Sequence, residues 1–545
     1  MKKHLAMVSL LTITGLYGLL AAIVILISYL TEGTALPGIY ISIVILIIQF
    51  LISPWVTDLT MKWFYDAKFS YEVPEYLDSF INQICEKYNM KHPKIGFIDD
   101  GAPNAFTYGR FRNDARIIIT RGVTDLLSEE EVISVVGHEL GHVVHRDMLV
   151  MTAVQVVPLV LYGIFEICMD AALDDDKSSS SSSSDSNSGN AKLGFAAIGA
   201  IAYVLYIICQ LVILWLSRTR EYYADEFSCK ETKNPSSLAS ALVTIGYGLA
   251  TTGKTETENK HSVTTPNPLG IADGKTSKEL AICCVGGDTE AVRSDIQNAM
   301  KWDMWNTWAK VYEILSTHPL IAKRILAISD YCPEYGQERY ITFDLEKPKG
   351  VVGNFARDLL IDSIPSFAFL AAAVLALVFS ANNPEFLPLY FIIPWVLLLV
   401  KFLYKHPLKG MDERHSVREL LGVVDVSGIT PVPCEVKGKI IGRGNPGCVF
   451  NEDFVIKDST GIMMLDYNQP IGVLNKIFAL FKSPDYFDKT VTVNGWYRRA
   501  PVPYVEIKTF EVDGKVKKVW TYGFGKFGII SMIILHILLF IVFYV

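Results

Sequence analysis

The chain has 545 residues, half of them hydrophobic, nine cysteines and a net charge of −7. That length admits more than one domain, and a mean hydropathy of +0.29 is too apolar for an ordinary soluble protein. The modest acidic charge points to no nucleic-acid partner, and an odd set of scattered cysteines without a CxxC gives no disulfide framework; the adjacent Cys283 and Cys284 are poor evidence for a metal site.

The apolar excess lies in seven runs, at 5–30, 38–56, 149–173, 193–216, 363–380, 386–404 and 527–545, each near the roughly 20 residues that cross a bilayer. The first begins "MKKHLAMVSL" like a signal peptide. It is too long for an h-region, lacks a clear small-residue cleavage site and is followed at once by a second run, so a retained anchor is expected. Basic residues set the orientation. Lys2 and Lys3 precede the first run, whereas the loops "TEGTAL" and "ANNPEF" carry none and the serine-rich loop after the third run carries only Lys177. The N-terminus and all large soluble parts are therefore expected in the cytoplasm of a multi-pass cell-membrane protein, with the C-terminus outside.

Between the second and third runs, "EVPEYLDSFINQICEKYN" has helical periodicity, and "KIGFIDD", "NAFTYGR" and "ARIIITRG" read as short strands. Ser128 followed by Glu131 forms a capping box opening a helix. That helix carries "VVGHELGHVVHRD" and is expected to continue into the third span. The tract 178–184 is low-complexity serine, a flexible external loop. The fourth run ends in "LSRTREYYADEF", a helix emerging from the membrane; a polar stretch at 251–278 and helix around 289–315 follow. Past the sixth run, "CEVKGKIIG", "DFVIKD", "GIMMLDY", "KTVTVNGWYRR" and "YVEIKTFEV" alternate as strands, with "DSTG" as a hairpin turn. Five such strands suggest a small OB-like barrel. Trp496, Tyr497, Arg498 and Arg499 cluster as a nucleic-acid-binding face would, but acidic and basic residues balance across the region, and a protein-binding or spacing role is preferred. Lys515, Lys517 and Lys518 are placed to meet anionic headgroups before the last span. Of the ionisable residues in the apolar runs, Glu166 and Asp170 are read at the outer interface, and His536 as a neutral side chain bonded to a neighbouring helix.

The chemistry concentrates in HELGH. Residues four apart share one helix face, so His138 and His142 can ligate one metal ion, and neutral imidazole suits zinc. Glu139 sits beside that pair, able to reach a water that zinc would bring to a pKa of about 7, and to carry its proton to a leaving amine. Gly141, which costs about 1 kcal/mol against Ala inside a helix, fits a close approach of another element. A third ligand is needed. His145 returns to nearly the same face but lies about 10 Å along the axis from His138. Glu221 is the better candidate, because the third and fourth spans form a hairpin returning it to the same membrane face; Asp225, one turn on, can orient a ligand histidine.

"PNAF", "GHELGH" followed by "RD", "REYYAD" and "STHPLIAKRI", in this order, resemble the HtpX-like membrane zinc metalloproteases and, more distantly, the CAAX prenyl proteases of type 1. The resemblance covers roughly 71–330 with the flanking spans. It implies one Zn2+ per chain on His138, His142 and Glu221, Glu139 as catalytic base, Asn104 near the substrate strand, and His318 and Arg324 as candidates to steady the tetrahedral oxyanion. The implied fold is a multi-pass α-helical membrane protein with an α+β zincin-like cytoplasmic metalloprotease domain and a small all-β, OB-like barrel. Its parts are two spans (1–56), the first protease part with HELGH (57–148), a transmembrane hairpin (149–217), the second protease part with the third ligand (218–362), a second hairpin (363–404), the barrel (405–526) and a last span (527–545). Three further spans and the barrel exceed a minimal HtpX-like protein. The expected activity is zinc-dependent cleavage of membrane or membrane-associated proteins, with protein or peptide substrates and the lipid bilayer as partners. A processing protease for prenylated tails and a zinc-stabilised scaffold without catalysis are the alternatives.

Overall fold

The computed structural model describes residues 36–69, 72–173, 186–248, 289–347, 351–379, 384–445, 448–500 and 502–544, with a few positions between 12 and 20. The first apolar run, the serine tract, the 251–278 stretch and Cys283 and Cys284 fall largely or wholly outside these residues.

The second apolar run lies on α1 (Leu36–Phe64). After it, α2 (Glu75–Tyr88) ends where Asn89 turns left-handed at φ 50°, an αL cap. A three-stranded sheet follows: β1 (Lys94–Ile98), β2 (Ala105–Gly109) and β3 (Ala115–Thr120), in the order β1-β3-β2. β3 is central and wholly buried, parallel to β1 and antiparallel to β2. A short α3 (Arg121–Leu126) leads to α4 (Glu129–His145), opened by the expected capping box of Ser128 and Glu131.

α4 does not run on into the third span. Arg146 stops it in the left-handed conformation, φ 60° and ψ 36°, and α5 (Asp147–Leu173) starts on a new axis. That conformation costs an L-residue about 1–2 kcal/mol. It turns the Asp147 carboxylate back onto His142 and Arg220, contacts that reward the break. α6 (Ser186–Thr232) is the opposite case: one 47-residue helix passes from the apolar run through REYYAD without interruption. α7 (Pro235–Gly246) is capped by the Asn234 side chain with Pro235 at its first position. The helical stretch near 289–315 is two helices, α8 (Thr289–Trp305) and α9 (Thr307–Ile314), because Asn306 leaves the helix to cap the second. α10 (Ile321–Ser329), α11 (Val351–Phe379) and α12 (Leu387–Lys405) complete the helical part before a short α13 (Val417–Leu421).

Among the described residues, five helices are long and apolar enough to cross a membrane: α5, α6 from Lys192, α11 from Gly353, α12 and α15 (Thr521–Tyr544). The protein is a multi-pass membrane protein. Glu166 and Asp170 are exposed on α5. Among the described residues, His536 bonds within its own helix and not to a neighbouring one. Its Nδ1 lies 2.7 Å from the Met532 carbonyl one turn back on its own helix, which a regular helix makes the nearest acceptor, while its ring packs against Phe391 and Trp395 of α12.

Between α13 and α15 lie β4 (Val432–Arg443), β5 (Phe454–Lys457), β6 (Ile462–Asp466), α14 (Gly472–Phe481), β7 (Thr490–Arg499), β8 (Pro503–Val512) and β9 (Lys515–Lys518). The order is β6-β5-β4-β7-β8-β9, and a parallel β6–β8 pairing closes five strands into a small barrel with β9 beside it. One hydrophobic cluster runs unbroken from α7, α8 and α10 into this barrel. The aromatic and basic run on β7 is part of that packing and not a surface: Trp496, Tyr497, Arg498 and Arg499 are all 2% exposed or less. Arg499 pairs with Asp303 of α8 at 3.0 Å and lies 4.7 Å over the Trp302 ring. Arg498 binds Glu506 and the carbonyls of Gly428 and Lys405. Trp302 and Asn306 donate to backbone carbonyls at 424–426.

Candidate metal centre and active site

α4 and α6 cross where glycine lets them. A Cβ on Gly141 would stand 3.1 Å from Ala224 Cα, and one on Gly137 3.0 Å from Ser228 Oγ. This close approach brings REYYAD against HELGH. His138 Nε2, His142 Nε2 and the Glu221 carboxylate then converge: the two imidazole nitrogens are 3.1 Å apart, and they lie 3.6 and 3.5 Å from Glu221 oxygens. A tetrahedral ion with ligand bonds of 2.0–2.1 Å has ligand–ligand edges of about 3.3–3.4 Å, so the donor set fits a small divalent cation. Within the described residues these three form the group able to hold a metal.

Each ligand is itself held. Asp225 Oδ1 sits 2.9 Å from His138 Nδ1, and Asp147 Oδ2 sits 2.7 Å from His142 Nδ1. These carboxylates leave each Nε2 free to face the ion. Arg324, reaching in from α10, clamps Asp225 through Nε and Nη2 and meets Glu221 Oε2 at 3.0 Å. His318 Nδ1 is also 3.0 Å from Glu221 Oε2, with nearly half of the His318 side chain exposed. Glu139 stands beside the trio, its Oε2 accepting from Thr107 Oγ1 at 2.7 Å.

The electrostatics follow from the neighbours. Burial alone would raise the Glu221 carboxyl, but His318 and Arg324 outweigh it and hold it well below the carboxylate range. Asp225 and Asp147 are lowered against the same desolvation, by Arg324 and His138 and by His142 and Arg220. His142 is pushed down by burial, yet Asp147, Glu221 and Glu139 carry it up to about 9. Four carboxylates thus gather around three histidines and two arginines, a field that favours a cation.

His138, Glu139, His142, Glu221 and Asp225 fall together as the spacing and the hairpin require. Asn104 lies just before β2, its backbone N–H on Thr120 Oγ1 and its carbonyl taking the Thr120 N–H. Arg324 is buried behind the ligands, tied to two carboxylates. His145 does not join the group; its ring stacks edge-on with Tyr223 and Phe227. Two residues escaped the sequence reading. Asp147 stands in the quoted motif, but only the break at Arg146 aims it. Thr107 carries no local signal, since sheet docking alone brings it to Glu139. One further connection reaches the barrel: Asp303, held by Arg499, accepts the Ala322 N–H at the start of α10 and the Tyr247 hydroxyl at 2.5 Å.

Residues 73–331 match peptidase family M48. A curated relative named Protease HtpX homolog from Methanothermobacter thermautotrophicus is 36% identical over 228 residues, 42% of this chain and 80% of its own. Those of Archaeoglobus fulgidus and Aquifex aeolicus are each 29% identical, covering 57% and 56% of this chain and 83% and 87% of theirs. The crystal structure of S. mikatae Ste24p aligns over 42% of this chain and 59% of its own with 19% identity and a TM-score of 0.29, a likeness on which nothing here rests.

Proposed function

The chain belongs to peptidase family M48, a membrane metalloprotease carrying a metal cofactor, and on that premise we propose that it is a zinc-dependent endopeptidase cleaving membrane or membrane-associated proteins at the cytoplasmic face, in the service of protein quality control. His138, His142 and Glu221 hold one Zn2+; the ligand spacing of 3.1–3.6 Å, matched to a tetrahedral edge, carries the reading. When bound, the ion supplies Lewis-acid polarisation of the attacking water and the scissile carbonyl.

The protein's own residues do the rest. Thr107 fixes one Glu139 oxygen, leaving the other to take the water's proton and return it, as the neutral acid, to the leaving nitrogen. A purely structural metal site would have no use for a carboxylate so held. His318, partly exposed beside Glu221, donates to the oxyanion; Arg324, tied to Asp225 and Glu221, contributes by positioning both. β2 ends the sheet order next to α4, and an extended substrate adds there as a further strand with Asn104 at its margin, the arrangement of a zincin-like α+β domain. The barrel has the OB-like pattern of a closed five-stranded sheet with a helix between its third and fourth strands, and serves as a packed brace. The N-terminus lies in the cytoplasm and the C-terminus outside.

The test is to purify wild type and Glu139→Gln under protease inhibition, measure bound zinc, and follow cleavage of an unfolded protein substrate. Both are expected to hold one zinc per chain, with activity in wild type alone and lost to a chelator; Glu139→Gln should lose about 10²–10⁴-fold. Full activity in Glu139→Gln would overturn the mechanism.

A further inference from the structure

α14, the helix of the barrel, carries an apolar arc on its outward side in addition to the Phe478 and Ala479 face that packs on the barrel. At 100° per residue, Val473, Leu474, Ile477, Leu480 and Phe481 fall within an arc of about 120°, and this arc faces outward. Val473 is 66% exposed, Leu474 and Ile477 48%, and Phe481 71%, with Ile471 at the helix entry 58% exposed. The residues turned inward are Asn475, Ala479 and Phe478, whose ring stacks on Tyr467 at 4.1 Å and meets Phe454 and Tyr486 in the barrel core. Lys476 borders the apolar arc on one side, and Lys482 follows at the C-terminal cap of the helix.

The surroundings say what covers this face. The buried Asn475 is bonded to Asn468 and Gln469. Those two residues in turn hold the head of α15, through Gln469 Oε1 on the Trp520 N–H and the Asn468 carbonyl on the Thr521 hydroxyl. On its other side Lys476 binds the Phe450 carbonyl, and the Phe450 ring meets Phe64 in the last turn of α1 at 6.3 Å. α14 is therefore fastened between the ends of two apolar helices. Exposed Trp63 and Phe64 on α1, and Trp520, Phe524 and Phe527 at the head of α15, mark the same level, as an aromatic belt does at a membrane interface.

We propose that α14 is an interfacial helix: it lies flat in the bilayer surface with Val473, Leu474, Ile477 and Phe481 among the acyl chains and Lys476 and Lys482 at the headgroups. The outward arc, the neighbouring lysines and continuity with the membrane-crossing α15 and the apolar α1 fit a lipid surface. The barrel is then pinned to the membrane on this side while its opposite side packs on the protease. This rests on the multi-pass membrane architecture and not on catalysis.

The test uses the full chain with Glu139→Gln, to prevent self-cleavage, and with Cys283, Cys284 and Cys448 replaced by serine, in phosphatidylglycerol/phosphatidylcholine nanodiscs. Spin labels are placed at Ile477→Cys and Phe481→Cys, and at Glu86→Cys on α2 as an exposed control. The ratio of oxygen to nickel-chelate accessibility is expected several-fold higher at 477 and 481 than at 86. Equal ratios at all three positions would overturn the proposal. So would low accessibility to both reagents at 477, the mark of a covering protein segment, or spin–spin broadening between chains, the mark of a second copy. Because the readout needs no proteolysis, its failure is distinct from failure of the protease assignment.

Discussion

Two buried charge networks lie on opposite sides of α8 and α10, and they are balanced differently. At the metal centre, Glu139, Glu221, Asp225 and Asp147 outnumber Arg324 and Arg220, and three donor atoms point at one another across 3.1–3.6 Å. At the barrel contact, Arg499 meets Asp303, and Arg498 meets Glu506 together with His406. Both Nη groups of Arg498 and the Nη1 of Arg499 reach backbone carbonyls, the Arg499 Nε finds no acceptor among the described residues, and Trp302 and Tyr247 cover the Arg499 guanidinium. The first network leaves an excess of negative charge that a cation balances; the second pairs its carboxylates with arginines and holds two parts together. Buried charge is costly in both, and only the pairing tells a site from a brace.

The largest expected effect breaks the brace. Arg499→Met leaves Asp303 buried and unpaired, a loss of about 3–5 kcal/mol, read as a lower denaturation midpoint in detergent. Because Asp303 also anchors the start of α10, the surviving folded enzyme should bind metal more weakly; unchanged metal affinity would show the two networks to be independent. Thr107→Val removes a hydrogen bond to a charged group, about 1.5–3 kcal/mol, so kcat/KM should fall about tenfold to a hundredfold with bound metal unchanged. Asp225→Asn should lower metal affinity about 10–100-fold in competition with a chelator, and Asp147→Asn likewise; an Asn that left affinity intact would show that the carboxylate charge does not tune its histidine.

The smallest effect lies in the brace and depends on pH. Burial would raise Glu506, but His406 and Arg498 hold it down to about 2 from its ordinary 4.5. A depressed acid stabilises the fold above its unfolded pKa, and that contribution drains away as pH falls from about 4.5 towards 2. Glu506→Gln should therefore be less stable than wild type at neutral pH and converge with it near pH 2; a constant gap across that window would place the effect in packing.

Much of the candidate site was legible because its spacing is local. Four-residue spacing puts His138 and His142 on one face wherever the segment is helical, and a capping box announces where the helix starts. Glu221 was reachable only by adding topology, since two adjacent apolar runs must return the chain to the side it left. The strands of the barrel were legible from alternation and turn residues, while β9, short and bare of apolar alternation, was not. At 496–499 charge balance alone argues against the nucleic-acid reading, because composition shows that arginines and aromatics are neighbours and not which way a strand faces.

The sequence by itself determined that His138 and His142 can bind one metal, that five of the seven apolar runs form long apolar helices and where five strands begin, since these depend on periodicity and residue type over one or two turns. The tertiary structure alone decided the rest. A left-handed Arg146 aims Asp147 at His142, the docking of β2 on α4 gives Thr107 to Glu139, and Arg324 crosses from α10 to hold Asp225 and Glu221. The same packing buries Arg499 against Asp303 and leaves the apolar arc of α14 facing outward. Each joins segments distant in the chain, where the energy of an interaction depends on what lies across the contact and not on the residues beside it.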